Sequence, residues 1–372
     1  MFTTNNDVLQ DLFARGAIRI RRGVMFDSVP AGHSDVPWDR IQGMMLGLAI
    51  GDSLGNCSES MMPLERRIVH GELIDFMPNF YADGRPVGLP SDDTQLAAWT
   101  LEQLIEDGEY IPENVAKRFQ SGHIFGIGQT VREFLRNLAM GRAWHEAGPE
   151  SAGNGAIMRI APILIPHLGR ASTDLWVDTA LAAMTTHNDM ASISSCIAFV
   201  AILWDLLGMQ TAPEPTWWLD RFVGVVRDLD YGARYGTRAG SRIEYEGSFA
   251  DFVEASVRSA RTRNLSIVDA CNRTGSGAYL METVPSVLTI LERHANDPES
   301  AIIRAVNDTW DNDSIGAIVG AAVGALHGAN ALPSRWREGL LGRTRADDDG
   351  RLFDLLGMAR TLFGPADVAP ID

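Results

Sequence analysis

Two stretches of this 372-residue chain obey one unusual rule. GMMLGLAIGDSLG carries glycine at positions 43, 47, 51 and 55, and IGAIVGAAVGALHG carries it at 316, 320, 324 and 328. A glycine inside a helix costs about 1 kcal/mol against alanine, so such a series demands a compensating contact. Four-residue spacing lines the glycines along nearly one helix face, a smooth ridge on which another backbone can lie close. The simplest fold that uses both ridges packs the two helices against each other at the centre of a bundle.

The remaining pattern agrees. LAAWTLEQLIEDG, TVREFLRNLAM, TDLWVDTALAAM, FADFVEASVRSAR, VPSVLTILERH and PESAIIRAVNDTW repeat apolar residues at helical spacing. Alternating patterns are rare, and RIRRGVMF near residue 20 is the best strand candidate. These features predict an all-α, compact single-domain helical bundle over residues 38–345. Residues 1–37 read as an N-terminal extension. Residues 346–372 read as a C-terminal tail with an exposed turn and one last short helix. Residues 210–247 read as an irregular insert rich in Pro, Gly, Arg and Tyr, either a functional loop or a solvated excursion.

The 48 acidic residues outnumber 32 lysines and arginines, for a net charge of −16. Such a surface repels phosphate backbones and argues against general nucleic-acid binding. Three scattered cysteines, Cys57, Cys196 and Cys271, read as free thiols in a reducing compartment. The first residues lack a basic-then-apolar leader pattern. The apolar run ASISSCIAFVAILWDLLGM is broken by serines and reads as a core helix rather than a membrane span. The expectation is a cytoplasmic protein without a membrane partner.

Acidic groups gather at helix entries. Asp52 interrupts the first ridge, and Glu59 follows it. LPSDDTQLAAW sets Ser91, Asp92, Asp93 and Thr94 at the start of one helix, and WDNDS sets Asp311, Asp313 and Ser314 before the second ridge. Asp, Ser and Thr are good N-caps, and a helix dipole favours carboxylates there by about 0.3–1 kcal/mol each. Capping needs one oxygen, and these clusters offer more. The excess faces water or meets a cation. Carboxylates and hydroxyls without paired His or Cys form a hard-oxygen set suited to Mg²⁺, Mn²⁺ or Ca²⁺. Asp311 and Asp313 would point apart on a regular helix, so both reach one site only if the helix starts after them. HIFGIGQTVREFL and GNGAIMRIAPI put Gly126, Gly128, Gly153, Asn154 and Gly155 before helices, where exposed N–H groups can hold phosphate.

In this order, the residues resemble the ADP-ribosylglycohydrolase family. The resemblance rests on Gly47–Glu59, Ser91-Asp92-Asp93-Thr94, Gly126-Ile127-Gly128, Gly153 to Arg159, Thr186-His187 and Asp311 to Gly324, and spans roughly residues 40–336. It implies an all-α bundle around a binuclear site for two Mg²⁺ ions, Mn²⁺ in some members. Its ligands would be Ser91, Asp92, Asp93, Asp311, Asp313 and Ser314, with Glu59 at the edge. The Gly126–Gly128 loop and the segment with Gly153, Asn154 and Gly155 would hold diphosphate and ribose. His187 would lie near them, and Tyr279 would stack on adenine. The implied activity is Mg²⁺-dependent hydrolysis of the anomeric bond between ADP-ribose and an acceptor, arginine being the expected one. Asp92, Asp93 or Glu59 would act as base or assist the leaving group. The implied partner is ADP-ribose or an ADP-ribosylated protein. The alternatives are a catalytically inactive ADP-ribose-binding protein and a metal-dependent hydrolase of another nucleotide or small-molecule ADP-ribose conjugate. Trp310 stands where the family commonly has glycine.

Overall fold

The computed structural model describes residues 4–33, 36–239 and 241–364. Helical periodicity becomes helix almost throughout. The first half runs α1 (Asn5–Ala14), α2 (Trp38–Gly55), α3 (Pro63–His70), α4 (Asp92–Asp107), α5 (Pro112–Phe119), α6 (Gln129–Ala139), α7 (Trp144–Ala147), α8 (Asp174–Thr186) and α9 (Met190–Gly208). The second runs α10 (Pro215–Leu229), α11 (Phe249–Thr262), α12 (Ile267–Thr274), α13 (Leu280–His294), α14 (Pro298–Asp308), α15 (Asn312–His327), α16 (Ser334–Gly339) and α17 (Arg351–Phe363). Strand among the described residues is confined to two antiparallel ladders, Pro78–Asn79 with Arg85–Pro86 and Tyr235–Gly236 with Glu246–Gly247.

The two ridges meet. α2 and α15 lie antiparallel with their glycines interleaved, so that a Cβ on Gly47 would fall 2.1 Å from the Gly320 carbonyl oxygen. A Cβ on Gly51 would fall 2.0 Å from the Gly316 oxygen, and one on Gly43 2.4 Å from the Gly324 oxygen. No side chain fits between these backbones. Nearly every residue of both helices is buried, because the remaining bundle packs around the pair. α9 is long and apolar enough to cross a membrane by length and composition, but 94% of its apolar window is buried inside the bundle.

Several expectations change. RIRRGVMF does not form a strand: Val24–Asp27 is a short 3₁₀ turn. Its partner is a helix end, since Asp228 accepts from the Val24 and Met25 amides and the Arg21 guanidinium donates to the Arg227 and Asp228 carbonyls. The insert expected to be irregular contains α10, which buries Trp218, Phe222, Val226 and Leu229. Pro215 opens that helix, where its missing N–H costs nothing; the same residue reads as punctuation in a Pro-rich stretch. The 3₁₀ turns Ile157–Arg159 and Ala161–His167 replace the helix expected after Gly155. The N-terminal extension is docked through Leu9 and Leu12, and the tail's α17 through Leu352, Leu355 and Leu356. The outer parts of those two segments, residues 1–3, 34–35 and 365–372, lie outside the described residues.

Gly320→Ala is expected to destabilise the protein by about 1–3 kcal/mol or more, because its Cβ has nowhere to go. Gly224→Ala, on an exposed face of α10 with nothing within 4 Å of the added carbon, should instead stabilise by about 0.5–1 kcal/mol. Thermal unfolding of the two variants checks the contrast.

Candidate functional site

The ridges deliver acidic groups to one place. Where α2 ends and α15 begins, a Cβ on Gly55 would lie 2.5 Å from the Asp313 Cα. The last turn of α2 therefore touches the first turn of α15, and the start of α4 closes against both.

Asp52 makes that closure. It is fully buried, and its carboxylate accepts from the Ser91 amide at 2.9 Å, the Thr94 amide at 3.1 Å, the Ser91 hydroxyl at 2.8 Å and the Thr94 hydroxyl at 2.6 Å. Ser91 occupies the N-cap position of α4 but makes no capping bond of its own. A carboxylate 39 positions earlier supplies the cap instead. One oxygen set thus satisfies free N–H groups at the α4 N-terminus and meets the positive end of its dipole.

Two triplets of carboxylates follow. Asp52, Asp93 and Asp313 bring ligand oxygens within 4.8 Å of one another, as do Glu59, Asp311 and Asp313, so Asp313 belongs to both. Asp93 also accepts from Ser91 Oγ at 3.2 Å, yet its Oδ1 is buried without any partner. Asn154 Nδ2 donates to Asp311 at 2.5 Å, and the Ser314 amide donates to Asp313 at 2.9 Å. The Ser314 hydroxyl lies 3.8 Å from the Met158 sulfur. Asp92 is outside both triplets and faces the glycine loop: a Cβ on Gly126 would lie 3.2 Å from its Oδ1. The helix begins between Asp311 and Asp313 rather than after them. Asp311, with ψ of 68°, is the non-helical cap residue, and that bend turns its side chain back toward Asp313.

Among the described residues, no arginine, lysine or histidine makes an ion pair with these carboxylates, although Arg66 is near enough to feel the charge of Asp313. Arg66 is buried nearby, but its donors go to the Ser58 hydroxyl and to the carbonyls of Ser58, Met61 and Thr309. It fastens the Glu59 loop to the turn before Asp311. Without an ion-pair partner, burial and mutual repulsion push Asp92 and Asp311 up to about 7. The same causes hold Asp93 and Asp313 well above the carboxylate range.

The second wall is uncharged. Gly126 takes φ of +64°, and Gly128 is the N-cap of α6 with open space beside its Cα. A Cβ on Gly155 would come within 2.9 Å of the His187 ring, so the loop rests on that imidazole. Burial beside Arg159 lowers His187 to about 3, keeping it neutral. Arg159 donates to the Thr186 hydroxyl, which lies 2.9 Å from His187 Nδ1. A Thr186 hydroxyl donating to Nδ1 would leave the imidazole proton on Nε2, toward the glycine loop. Tyr279 pairs by backbone with Gly153, and the Asn154 amide donates to the Ala278 carbonyl. Trp310 is partly exposed at the rim, its Nε1 donating to the Ser60 carbonyl at 3.2 Å.

Of the candidate residues from the sequence, Glu59, Asp93, Asp311 and Asp313 gather in the two triplets, Asp92 faces the Gly126 loop, and Gly155 rests on His187. The sequence marks Asp52 and Thr94 at helix ends without giving either a site role, and it does not mark Arg66 at all. Asp52 had a visible signal, a charge inside a glycine ridge where an apolar residue would pack; Arg66 had none.

Residues 33–363 match the family model described as ADP-ribosylglycohydrolase. An ADP-ribosylarginine hydrolase of Pseudomonas putida is 26% identical over 81% of this chain and 74% of its own. The ADP-ribosyl-[dinitrogen reductase] glycohydrolase of Rhodospirillum rubrum is 25% identical over 80% of this chain and 89% of its own. A solved ADP-ribosylglycohydrolase-related protein complex superposes with a TM-score of 0.63 at 26% identity, covering 88% of this chain and 97% of that one.

The raised carboxyls give a sign to pH. Asp92 and Asp311 move from 3.8 in the unfolded chain to about 7 in the fold, so the folded state holds protons that the unfolded state releases. Metal-free stability should fall as pH rises from 3.8 through about 7, as Asp92 and Asp311 lose the protons that only the folded state retains. Thermal unfolding in EDTA should give a higher Tm at pH 5 than at pH 8. Saturating divalent cation, or Asp313→Asn, should reduce the difference.

Proposed function

Since the chain belongs to the ADP-ribosylglycohydrolase family and is a glycosidase of ADP-ribose conjugates, we propose that it is a Mg²⁺-dependent hydrolase of arginine-linked ADP-ribose on proteins. The observation that carries the metal dependence is the pair of carboxylate triplets joined at Asp313, with Asp93 Oδ1 buried and unpartnered. The donors are all hard oxygens, which fits Mg²⁺ or Mn²⁺. Asp52, Asp93 and Asp313 would hold one ion, and Glu59, Asp311 and Asp313 a second, with Ser91 and Ser314 beside them. A bound divalent cation would supply Lewis-acid polarisation and make water acidic at neutral pH. The arginine acceptor is supported by the name of the Pseudomonas relative.

The protein's own groups do the rest. Asp52, locked by its capping bonds, and Asp311, held by Asn154, are fixed in position by neighbouring donors and would orient the ribose end of the site. Asp92, outside both triplets and beside the Gly126 loop, would serve proton transfer, and Glu59 lies at the open edge to serve the departing acceptor. The Gly126–Gly128 and Gly153–Gly155 loops would take the diphosphate and ribose. His187 Nε2–H would add a neutral donor beneath the second loop. The free thiols of Cys57, Cys196 and Cys271 suit a reducing cytoplasm.

Incubation with arginine-, serine- and nucleobase-linked ADP-ribose, followed by mass spectrometry, is expected to yield ADP-ribose and free arginine side chain from the first substrate. EDTA should abolish that release. Asp92→Ala should lower it by about 10²–10⁴-fold, the range for removing a proton-transfer group. AMP or phosphate as product, or turnover unchanged in metal-free buffer, would rule the proposal out. Tight ADP-ribose binding without turnover on any linkage would indicate a binding protein.

A further inference from the structure

A pocket lined by Asp52, Glu59, Asp92, Asp93, Asp311 and Asp313 is a poor receptor for a diphosphate. The substrate carries negative charge, and repulsion grows as the site loses water. Divalent cations would offset part of it at the ribose end. The glycine loops offer the phosphates neutral N–H donors only, so a cation is still wanting. Arg66 cannot help, because its donors are used on Ser58 and on main-chain carbonyls. Arg159 is sealed behind His187, bonded to Thr186 and to the Ala182 carbonyl.

Another guanidinium is free of such bonds. Arg238, on the loop of the Tyr235–Gly247 hairpin, lies with its Cζ 4.2 Å from the centroid of the Tyr279 ring. Tyr279 is nearly buried, and its hydroxyl donates to the Gly236 carbonyl at 3.2 Å, so ring and hairpin fix each other. The hairpin is tied down again by Tyr235, whose hydroxyl donates to the Asp189 carboxylate at 3.0 Å. Tyr279 is also paired by backbone with Gly153, one residue before the Asn154 that grips Asp311. A short run of chain therefore connects the stacked guanidinium to the carboxylate pocket. Arg238 is exposed and, among the described residues, makes no side-chain hydrogen bond or ion pair. Glu282 is near enough to feel its charge without being bonded to it.

We infer that Arg238, held over the Tyr279 ring, is the phosphate-binding cation of the substrate site. The inference rests on the reading that the ligand is an ADP-ribose conjugate. The Arg238 side-chain N–H donors have no partner among the described residues, and a guanidinium offers them in pairs matching two phosphate oxygens. The aromatic face below limits the side chain's motion and stabilises its charge. The insert hairpin thereby becomes a working part of the site, supplying the positive charge that the central helices lack.

The test is calorimetric titration of the full chain, with Mg²⁺, against ADP-ribose and against adenosine. Arg238→Gln should weaken ADP-ribose by about 10- to 100-fold, the range of a charge-assisted hydrogen bond, and flatten the salt dependence of its affinity. Adenosine, which has no phosphate, should bind as before. Arg238→Lys should recover part of the loss, since it keeps the charge but not the fork. Unchanged ADP-ribose affinity in Arg238→Gln would overturn the inference, and so would adenosine weakened equally, which would make Arg238 a support for the ring. Arg238-dependent ADP-ribose binding by a protein that releases nothing from arginine-linked substrate would sink the acceptor reading and leave this one standing. Absence of ADP-ribose binding by the unaltered protein would overturn both.

Discussion

The contact between two helix backbones, with no side chain between them, sets the position of everything chemical in this molecule. Gly47 against Gly320 and Gly51 against Gly316 leave no slack along the shared axis. Interleaved backbones cannot slide past each other without collision, so the ends of α2 and α15 stay in register. Asp52 and Asp313 inherit that register. A leucine-lined interface would bury more apolar area, but it would separate the helices and pull the two carboxylates apart.

Charge is the cost of the arrangement. Six carboxylates, Asp52, Glu59, Asp92, Asp93, Asp311 and Asp313, share a pocket into which no arginine or lysine among the described residues extends a free donor. Desolvated anions at such spacing bind protons or cations, or the fold loses stability. Asp52 shows how part of the charge is met internally. Its capping of α4 joins the dipole of one helix to the side chain of another, so the same interaction closes the fold and fixes a wall of the site. Asp93 shows the part left over, an oxygen buried and facing no donor. The Arg66 staple serves the same design from outside, holding the Glu59 loop against Trp310 without neutralising the carboxylates.

Most of the architecture was legible because it rests on local periodicity. Glycine every fourth residue, and apolar residues at helical spacing, announced the central pair and the bundle around it. The acidic helix entries were legible too, since Asp92, Asp93, Asp311 and Asp313 exceed what capping requires. Long-range partnerships were not. Nothing in the letters around Asp52 says that it will cap a helix beginning 39 positions later, and the serine and threonine there look like self-sufficient caps. α10 was hidden by the prolines that start it. Arg238 is one of several arginines in an irregular stretch, and only the fold sets it over Tyr279.

The resulting molecule has a division of labour. Rigid central helices fix the acidic cluster, glycine loops at helix starts leave room for a ligand, and a peripheral hairpin brings a cation to the rim. The central claim is that the carboxylate pocket is a cation site built by the glycine-ridged pair. Titrating Mn²⁺ into EDTA-stripped protein, followed by electron paramagnetic resonance, tests it most directly. The expected result is saturable Mn²⁺ binding with proton release near neutral pH, displaced by Mg²⁺ and lost in Asp313→Asn. Binding that survives Asp313→Asn undiminished, or no binding at millimolar Mn²⁺, would contradict it.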